Sequence, residues 1–292
     1  MFDLAVQRSG AAGGLGGTSK NKQIHDVKHM ARGSELRRQQ RDERRGEKMK
    51  IRQYAKHIVN CTVATLGARV VNAEWGPRGF QAAFRQIART GWAPATVLDI
   101  GASTGSWSQE CMSIFPLARY FLAEPLEYKR EALKSFASAD NRVHYFLGGI
   151  GSRNGQLELN DNDAQSSFFP SHDFHGVKRS VPVRTLDSFR DEFGFQAPML
   201  LKADVQGFEL EVLEGARECL PFVDVMLLEV SFRRIYDNCP LAHEVIAYAG
   251  MNGFRMYDFV SYMQRDSDGA LLQTEIVFVR DGSKLFNDER AF

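Results

Sequence analysis

From Pro94 onward the chain alternates short, almost uninterrupted apolar runs with amphipathic stretches of roughly 10 to 15 residues, and no other feature restricts its fold as much. ATVLDIG, RYFLAEP, RVHYFLGGIG, PMLLKADV, VDVMLLEV, FRMYDFVSY and TEIVFVR read as strands, with QLELN as a short extra one. Between them SWSQECMSIF, LEYKREALKSFA, GFELEVLEGAREC and LAHEVIAYAGMNG carry helical spacing. Strands apolar on both sides must be covered on both faces, so the pattern predicts a mostly parallel sheet between helical layers. The short polar link RDSDGALLQ joins the last two strands, which are expected as an antiparallel pair at one edge. The fold expected is a doubly wound, Rossmann-like α/β sheet, mostly parallel with an antiparallel C-terminal edge strand, preceded by N-terminal helices.

Four regions follow. Residues 1–49 hold a Gly/Ala-rich stretch, Gly10 to Thr18, and then a dense charge run, RGSELRRQQRDERRGEKMK, with few large apolar residues. Such a segment stays solvated, as disorder or as an exposed helix. It reads either as a solubilising tail or as a basic arm for nucleic acid or an anionic membrane, and the interleaved acids favour the tail. Residues 50–93 read as helices: Tyr54, Ile58, Cys61 and Leu66 recur at helical spacing, and GFQAAFRQIARTG puts Phe80, Phe84 and Ile87 on one face before Gly91. Residues 94–281 form the sheet domain and 282–292 a tail.

A formal net charge of +1 over 292 residues argues against a surface that binds nucleic acid or membrane as a whole. Cys61, Cys111, Cys219 and Cys239 are far apart with no Cys-x-x-Cys pair, which predicts buried thiols in a reducing compartment rather than disulfides or a zinc site. No apolar run approaches the ~20 residues of a membrane span, and MFDLAVQRSGAAGG lacks a secretory pattern. A soluble cytoplasmic protein is the default expectation.

In open α/β sheets ligands sit beyond the carboxyl ends of the strands, where strand order reverses. VLDIGASTGSWS places a glycine-rich loop there. Gly101 and Gly105 allow positive φ and close backbone approach. Dinucleotide binders show Gly-x-Gly-x-x-Gly, but position 103 is serine and Asp99 precedes the loop, which suits a ligand with an amino-acid tail and no pyrophosphate. Glu124 ends the second strand in FLAEP, where a carboxylate can accept hydrogen bonds from both hydroxyls of a ribose. Asp99, Gly101, Ala102, Ser103, Gly105, Glu124 and Pro125 thus describe a site for a nucleoside carrying an amino acid, which points to S-adenosylmethionine.

The chain resembles the FkbM family of S-adenosylmethionine-dependent methyltransferases. The likeness runs over about residues 78 to 280, from RGFQAAFRQIARTGWAPATVLDIGASTGSWS through FLAEP, GGIGSRNGQLEL, SSFF, VRTLDSF, LLKADVQGFELEVLEGA, LLEVSFRRIY and TEIVFVR. The family pattern Lys-x-Asp-Val-Glu-Gly-x-Glu falls on KADVQGFE. Gln206 stands where glutamate is commonest, which puts in doubt any role needing an anion at that position. The resemblance implies a class I methyltransferase fold and methyl transfer to a hydroxyl of a sugar, a glycan unit or a natural product. Gly149 and Ile150 fall where this fold packs the adenine.

An alcohol is a poor nucleophile, so a positioned base should help by ~100- to 10,000-fold. Asp204, ending the LLKAD strand, is the first candidate; it reads equally as a holder of the methionine amino group or as a helix cap. Glu229 ends another strand and is the second candidate. With Asp204 it would offer oxygen ligands to a divalent metal, but no His/Asp spacing supports one and none is expected. His172 and His175 lie in SSFFPSHDFHG, a loop that reads as a lid with His175 as a base, or as plain surface. Lys202 reads as a carboxylate partner or an outward-reaching stem. Glu209 reads as an acid favoured by its helix or as part of the acceptor site. Ser166 and Ser167 read as facing the acceptor, and Trp107 as helix–sheet packing. Two further readings remain beside the O-methyltransferase: an RNA-directed methyltransferase using the arm, and a non-catalytic binder of the cofactor.

Overall fold

The computed structural model describes residues 79–170 and 177–286, all within one compact unit, Ala73–Phe292. The expected arm, the helix carrying Tyr54 to Leu66, Cys61, His172, His175 and the end of the tail lie outside the described residues.

The first described element is α1 (Phe80–Ala88), which buries Ala83, Phe84 and Ile87, and the chain turns at Gly91 with φ 87°. Then come β1 (Thr96–Ile100), α2 (Ser106–Met112), β2 (Arg119–Glu124), α3 (Arg130–Ala139) and β3 (Val143–Leu147). A short β4 (Gly149–Ile150) is followed by β5 (Gly155–Asp161), β6 (Val177–Arg184) and α4 (Asp187–Phe193). The second half runs β7 (Met199–Ala203), α5 (Glu209–Glu214), β8 (Val223–Ser231), α6 (Ala242–Met251), β9 (Phe254–Phe259), β10 (Met263–Gln264) and β11 (Leu271–Arg280).

Eight strands form the main sheet in the order β10-β11-β8-β7-β1-β2-β3, with β9 also paired to β11. The β1, β2, β3, β7 and β8 pairings are parallel, and β11 is antiparallel to β8 and to β9. This is the doubly wound α/β architecture expected. The antiparallel C-terminal strand is present, set between β8 and the outermost β9 and β10.

Every residue of β1 and β7 is buried, as strands covered on both faces must be. Period-two alternation divides the core. Leu98 and Ile100, Leu201 and Ala203, and Leu228 and Val230 point into one layer, while Val97, Leu200, Leu227 and Val277 point toward α1 and α2. By the same alternation Asp99, Lys202, Glu229, Gln273 and Glu275 lie on that second face, at the carboxyl ends of the parallel strands. A polar row therefore crowns an apolar layer.

A three-stranded sheet, β4-β6-β5, adjoins the main one. β6 and α4 are absent from the sequence reading because VKRSVPVR is mostly exposed, with charged residues and Pro182 obscuring any apolar run. Where one strand was read over RVHYFLGGIG, the chain breaks at Gly148 into β3 and β4.

Candidate functional site

β1 is flanked by β2 on one side and β7 on the other, so strand order reverses beside it, and the loops leaving these strands surround one open cavity. The cavity measures about 720 Å³, counting the space at its mouth, within the range of small-molecule sites. Gly101, Ser103, Glu124, Pro125, Gly149 and Ile150 line it, together with Asp204 and Gln206.

The glycine loop is held by backbone contacts that exclude side chains. Gly101 has φ 79°, and a Cβ there would stand 1.9 Å from the Asp204 carbonyl oxygen. This close approach joins the end of β1 to the end of β7. Lys202, paired in register with Asp99, reaches up from β7 and donates to the Gly101 carbonyl at 2.7 Å. Its ammonium lies 3.2 Å from Asp99 Oδ1 and 3.8 Å from Asp204 Oδ2. Burial opposes the Lys202 charge, but Asp99 and Asp204 outweigh it and leave its pKa above the ordinary lysine value.

Glu124 is 4% exposed, and each carboxylate oxygen accepts one backbone N–H: Oε2 from Ser103 at 2.7 Å and Oε1 from Leu126 at 2.9 Å. Burial raises its pKa against these two hydrogen bonds. A carboxylate has about four lone-pair positions, so each oxygen keeps capacity for a further donor in the cavity. Leu126, Ile150, Leu159 and Phe168 supply apolar walls nearby.

A strap spanning residues 161–168 runs along the cavity and contributes Asp163, Ala164, Ser166 and Phe168 to its lining. Lys129 Nζ donates to Asp163 Oδ1 at 2.8 Å on one side. On the other, Ser167 Oγ donates to the Gln206 carbonyl at 2.7 Å, and Tyr236 OH lies 2.9 Å from the Gln165 carbonyl.

Asp204 stands at the end of β7 with 38% of its side chain accessible. Gln206 Nε2 donates to Asp204 Oδ1 at 3.1 Å and to Glu229 Oε2 at 2.9 Å. Gln273 Nε2 also donates to Glu229 Oε2, at 2.9 Å. Burial first, and then the Asp204, Glu209 and Glu275 carboxylates, push Glu229 up to about 9. Glu229 and Glu275 are directly opposed across β8 and β11, where two like charges would repel. Burial raises Glu275 as well.

Several expected site residues stand behind the cavity wall rather than on it. Asp99 is fully buried, accepts from Ser108 Oγ at 2.7 Å, and braces the loop through Lys202. Ala102 is buried, with its N–H bonded to the Ala123 carbonyl at 3.0 Å. Gly105, with φ 81°, closes the loop where α2 begins, and a Cβ there would meet Phe136 and Leu122. None of these three lines the cavity. Glu229 reaches the site only through Gln206. Glu209 does not line the cavity; its Oε1 accepts from the Val205 and Gly207 amides and shapes the turn, and burial pushes its pKa up to about 7. Ser166 lines the cavity, whereas Ser167 is a buried anchor. Trp107 packs on Phe80 with ring centroids 5.2 Å apart. His175 and His172 are outside the described residues. Among the described residues, no group of three or more His, Cys, Asp or Glu is arranged to hold a metal ion. Cys111, Cys219 and Cys239 are buried free thiols.

Tyr236, Gln273, Lys129 and Asp163 were not singled out as site residues from the sequence. Lys129 and Asp163 lie in short 3-10 turns, Tyr236 in the segment after β8 and Gln273 in β11, and only the folded chain brings them together.

The fold is a doubly wound α/β sheet of the Rossmann-like class, with its cavity at the carboxyl ends of the parallel strands. The model for the methyltransferase FkbM domain matches residues 99–256, and the chain belongs to the FkbM methyltransferase family. It is 27% identical over 158 residues to the 2-O-methyltransferase NoeI of Sinorhizobium fredii, an alignment covering 48% of this chain and 65% of that protein. Among solved structures it is similar to the FkbM methyltransferase of Methylobacillus flagellatus, at 15% identity and a TM-score of 0.39, over 66% of this chain and 47% of that one. It is also similar to Aeropyrum pernix fibrillarin in complex with S-adenosyl-L-methionine, at 16% identity and a TM-score of 0.36, over 67% and 76% of the two chains. Among the described residues no helix is long and apolar enough to cross a membrane.

Proposed function

We propose that the protein is an S-adenosylmethionine-dependent O-methyltransferase that methylates a hydroxyl of a sugar, a glycan unit or a related natural product, with residues 94–281 as its catalytic domain. The observation that carries this reading is that Glu124 and Asp204, at the ends of β2 and β7, line the same cavity on either side of the Gly101 loop. Membership of the methyltransferase family and the likeness to a 2-O-methyltransferase support the choice of oxygen.

The residues fit such a cofactor. Glu124 keeps lone pairs for a ribose diol, Leu126 and Ile150 offer flat apolar surface for a base, and the open backbone at Gly101 and Ser103 borders room for an amino-acid tail. The bound cofactor supplies an electrophilic methyl group. The chain's own task is to hold the acceptor hydroxyl, keep water out and take its proton. With the cofactor held by Glu124 and the Gly101 loop, Asp204 Oδ2, which accepts no hydrogen bond from the described residues, would take the acceptor's hydroxyl proton. Glu229, neutral near pH 7, is unsuited to that step and instead supports Asp204 through Gln206.

Calorimetry with S-adenosylmethionine, followed by transfer of labelled methyl to a panel of methyl glycosides and oligosaccharides, tests the reading. Cofactor binding that survives Asp204→Asn, with methyl transfer reduced by ~100-fold or more, is expected. Binding of NAD in place of S-adenosylmethionine overturns it.

A further inference from the structure

Gln206 holds a backbone conformation that side-chain-bearing residues rarely adopt, with φ 52°, at the mouth of the candidate site. Such strain persists only where its surroundings fix it, and it often marks a functional role. Here the fixing contacts are visible. The Gln206 carbonyl accepts from Ser167 Oγ at 2.7 Å, and Tyr236 OH lies 3.1 Å from Oε1. With its oxygen facing the tyrosine, the amide turns both N–H bonds toward acids: Asp204 Oδ1 at 3.1 Å and Glu229 Oε2 at 2.9 Å. A primary amide has two such hydrogens, and both are used.

We propose that Gln206 is a positioning residue for methyl transfer, an uncharged bridge that ties Asp204 to Glu229 and leaves Asp204 Oδ2 as the oxygen turned to the acceptor. The inference rests on Asp204 as the acceptor-facing acid. Two carboxyl groups this close, with Glu209 on α5 and Glu275 on β11 beside them, repel one another unless donors separate them. Lys202, the cation facing them from β7, lies 3.2 Å from Asp99 and donates to the Gly101 carbonyl, and it stands 3.8 Å from Asp204 Oδ2, too far to hydrogen-bond it. The Gln206 amide supplies the donors without adding charge. Gln273 donates to the same Glu229 oxygen and fixes that carboxyl from β11, while the Tyr236 hydroxyl faces the amide from the segment after β8. Glutamate at 206 would offer no donor when ionised and would place a second negative charge beside Asp204.

The test needs no acceptor. In the full chain, carboxyl 13C NMR follows the titration of Asp204 and Glu229, assigned with Asp204→Asn and Glu229→Gln. Gln206→Leu should raise the Asp204 midpoint by removing a donor. Gln206→Glu should raise it further, through like charge. Thermal midpoints report whether each variant is folded; if Gln206→Glu fails to fold, Gln206→Leu decides. Tyr236→Phe, which frees the amide to rotate, should move the Asp204 midpoint the same way by less. Folded variants whose Asp204 midpoint matches the parent overturn the positioning role and leave Gln206 as loop packing. Turnover of Asp204→Asn decides separately whether Asp204 is the base, so the two failures are distinguishable.

Discussion

Lys202 and Asp99 form a buried ion pair at 3.2 Å, with side chains 5% and 0% exposed, beneath the loop that borders the cavity. Because the same ammonium donates to the Gly101 carbonyl, the pair sets loop geometry as well as charge balance. Replacing Lys202 with Met strands Asp99 without its cation. The expected cost is ~3–5 kcal/mol in urea unfolding, the usual result of breaking a buried pair from one side. Asp99→Asn combined with Lys202→Met should recover part of that loss. A double variant as unstable as the sum of its singles would show that the two groups are not coupled.

Glu124 is expected to carry more cofactor affinity than any other single side chain of the cavity. Glu124→Ala should weaken S-adenosylmethionine binding by ~1.5–3 kcal/mol, the range for hydrogen bonds to a charged group. Glu124→Gln should not restore it. Both carboxylate oxygens accept backbone N–H bonds, from Ser103 and Leu126, and an amide would set an NH2 group against one of those donors. Burial raises the Glu124 pKa, so affinity should begin to fall, as pH is lowered, above the range of an exposed glutamate. Calorimetry across pH, with Glu124→Gln lacking this acid limb, checks both statements.

Glu229 makes the stability of the protein depend on pH in an unusual sense. Its folded-state pKa is raised to about 9, so between an ordinary glutamate value and about 9 the native chain binds a proton that the unfolded chain releases. The stabilisation is fully present below the unfolded pKa and is lost as pH rises toward 9. For one group the slope is at most about 1.4 kcal/mol per pH unit. Glu229→Gln keeps an uncharged group in place and should flatten that fall. Unfolding curves for the parent and variant that stay parallel from pH 5 to about 9 would show that Glu229 is ionised in the native state.

How far this could be read in the sequence depends on how each feature is written there. Fully buried strands such as TVLDI and MLLKA announce themselves as apolar runs, and the helices between them show their period, so the parallel sheet was legible. So was the pairing of the Gly101 loop with Glu124, because both lie at strand ends in one βαβ unit. β6 was not, since a half-solvated strand with lysine, arginine and proline lacks the apolar signal. The Gln206 bridge was hidden for a different reason. Its partners Glu229, Tyr236 and Ser167 are 23, 30 and 39 residues away, and hydrogen bonds at such separation leave no local pattern. The position of Asp99 marks the strand end but not the face, so its place beneath the loop was not legible either. Alternation turns it toward α1 and α2.

The strap over the cavity should govern how long the cofactor stays. Asp163 has φ 48° and lines the cavity, and its carboxylate is clipped by Lys129 at 2.8 Å while Tyr128 OH lies 3.2 Å away. Asp163 is 70% exposed, so the ion pair contributes little to folding. The same small energy acts directly on strap opening, however, because the opposite side of the strap is held by Ser167 and Tyr236 and the Lys129 side carries the exposed fastening. Lys129→Ala is therefore expected to speed cofactor dissociation by up to about fivefold, while unfolding stability barely changes. Raising the salt concentration should speed release from the parent and leave the variant much less affected, since screening and substitution remove the same contact. Stopped-flow displacement of S-adenosylmethionine measures both. Equal dissociation rates for parent and variant at low salt would mean that the strap opens from its Ser167 side, and that Lys129 has no part in retention.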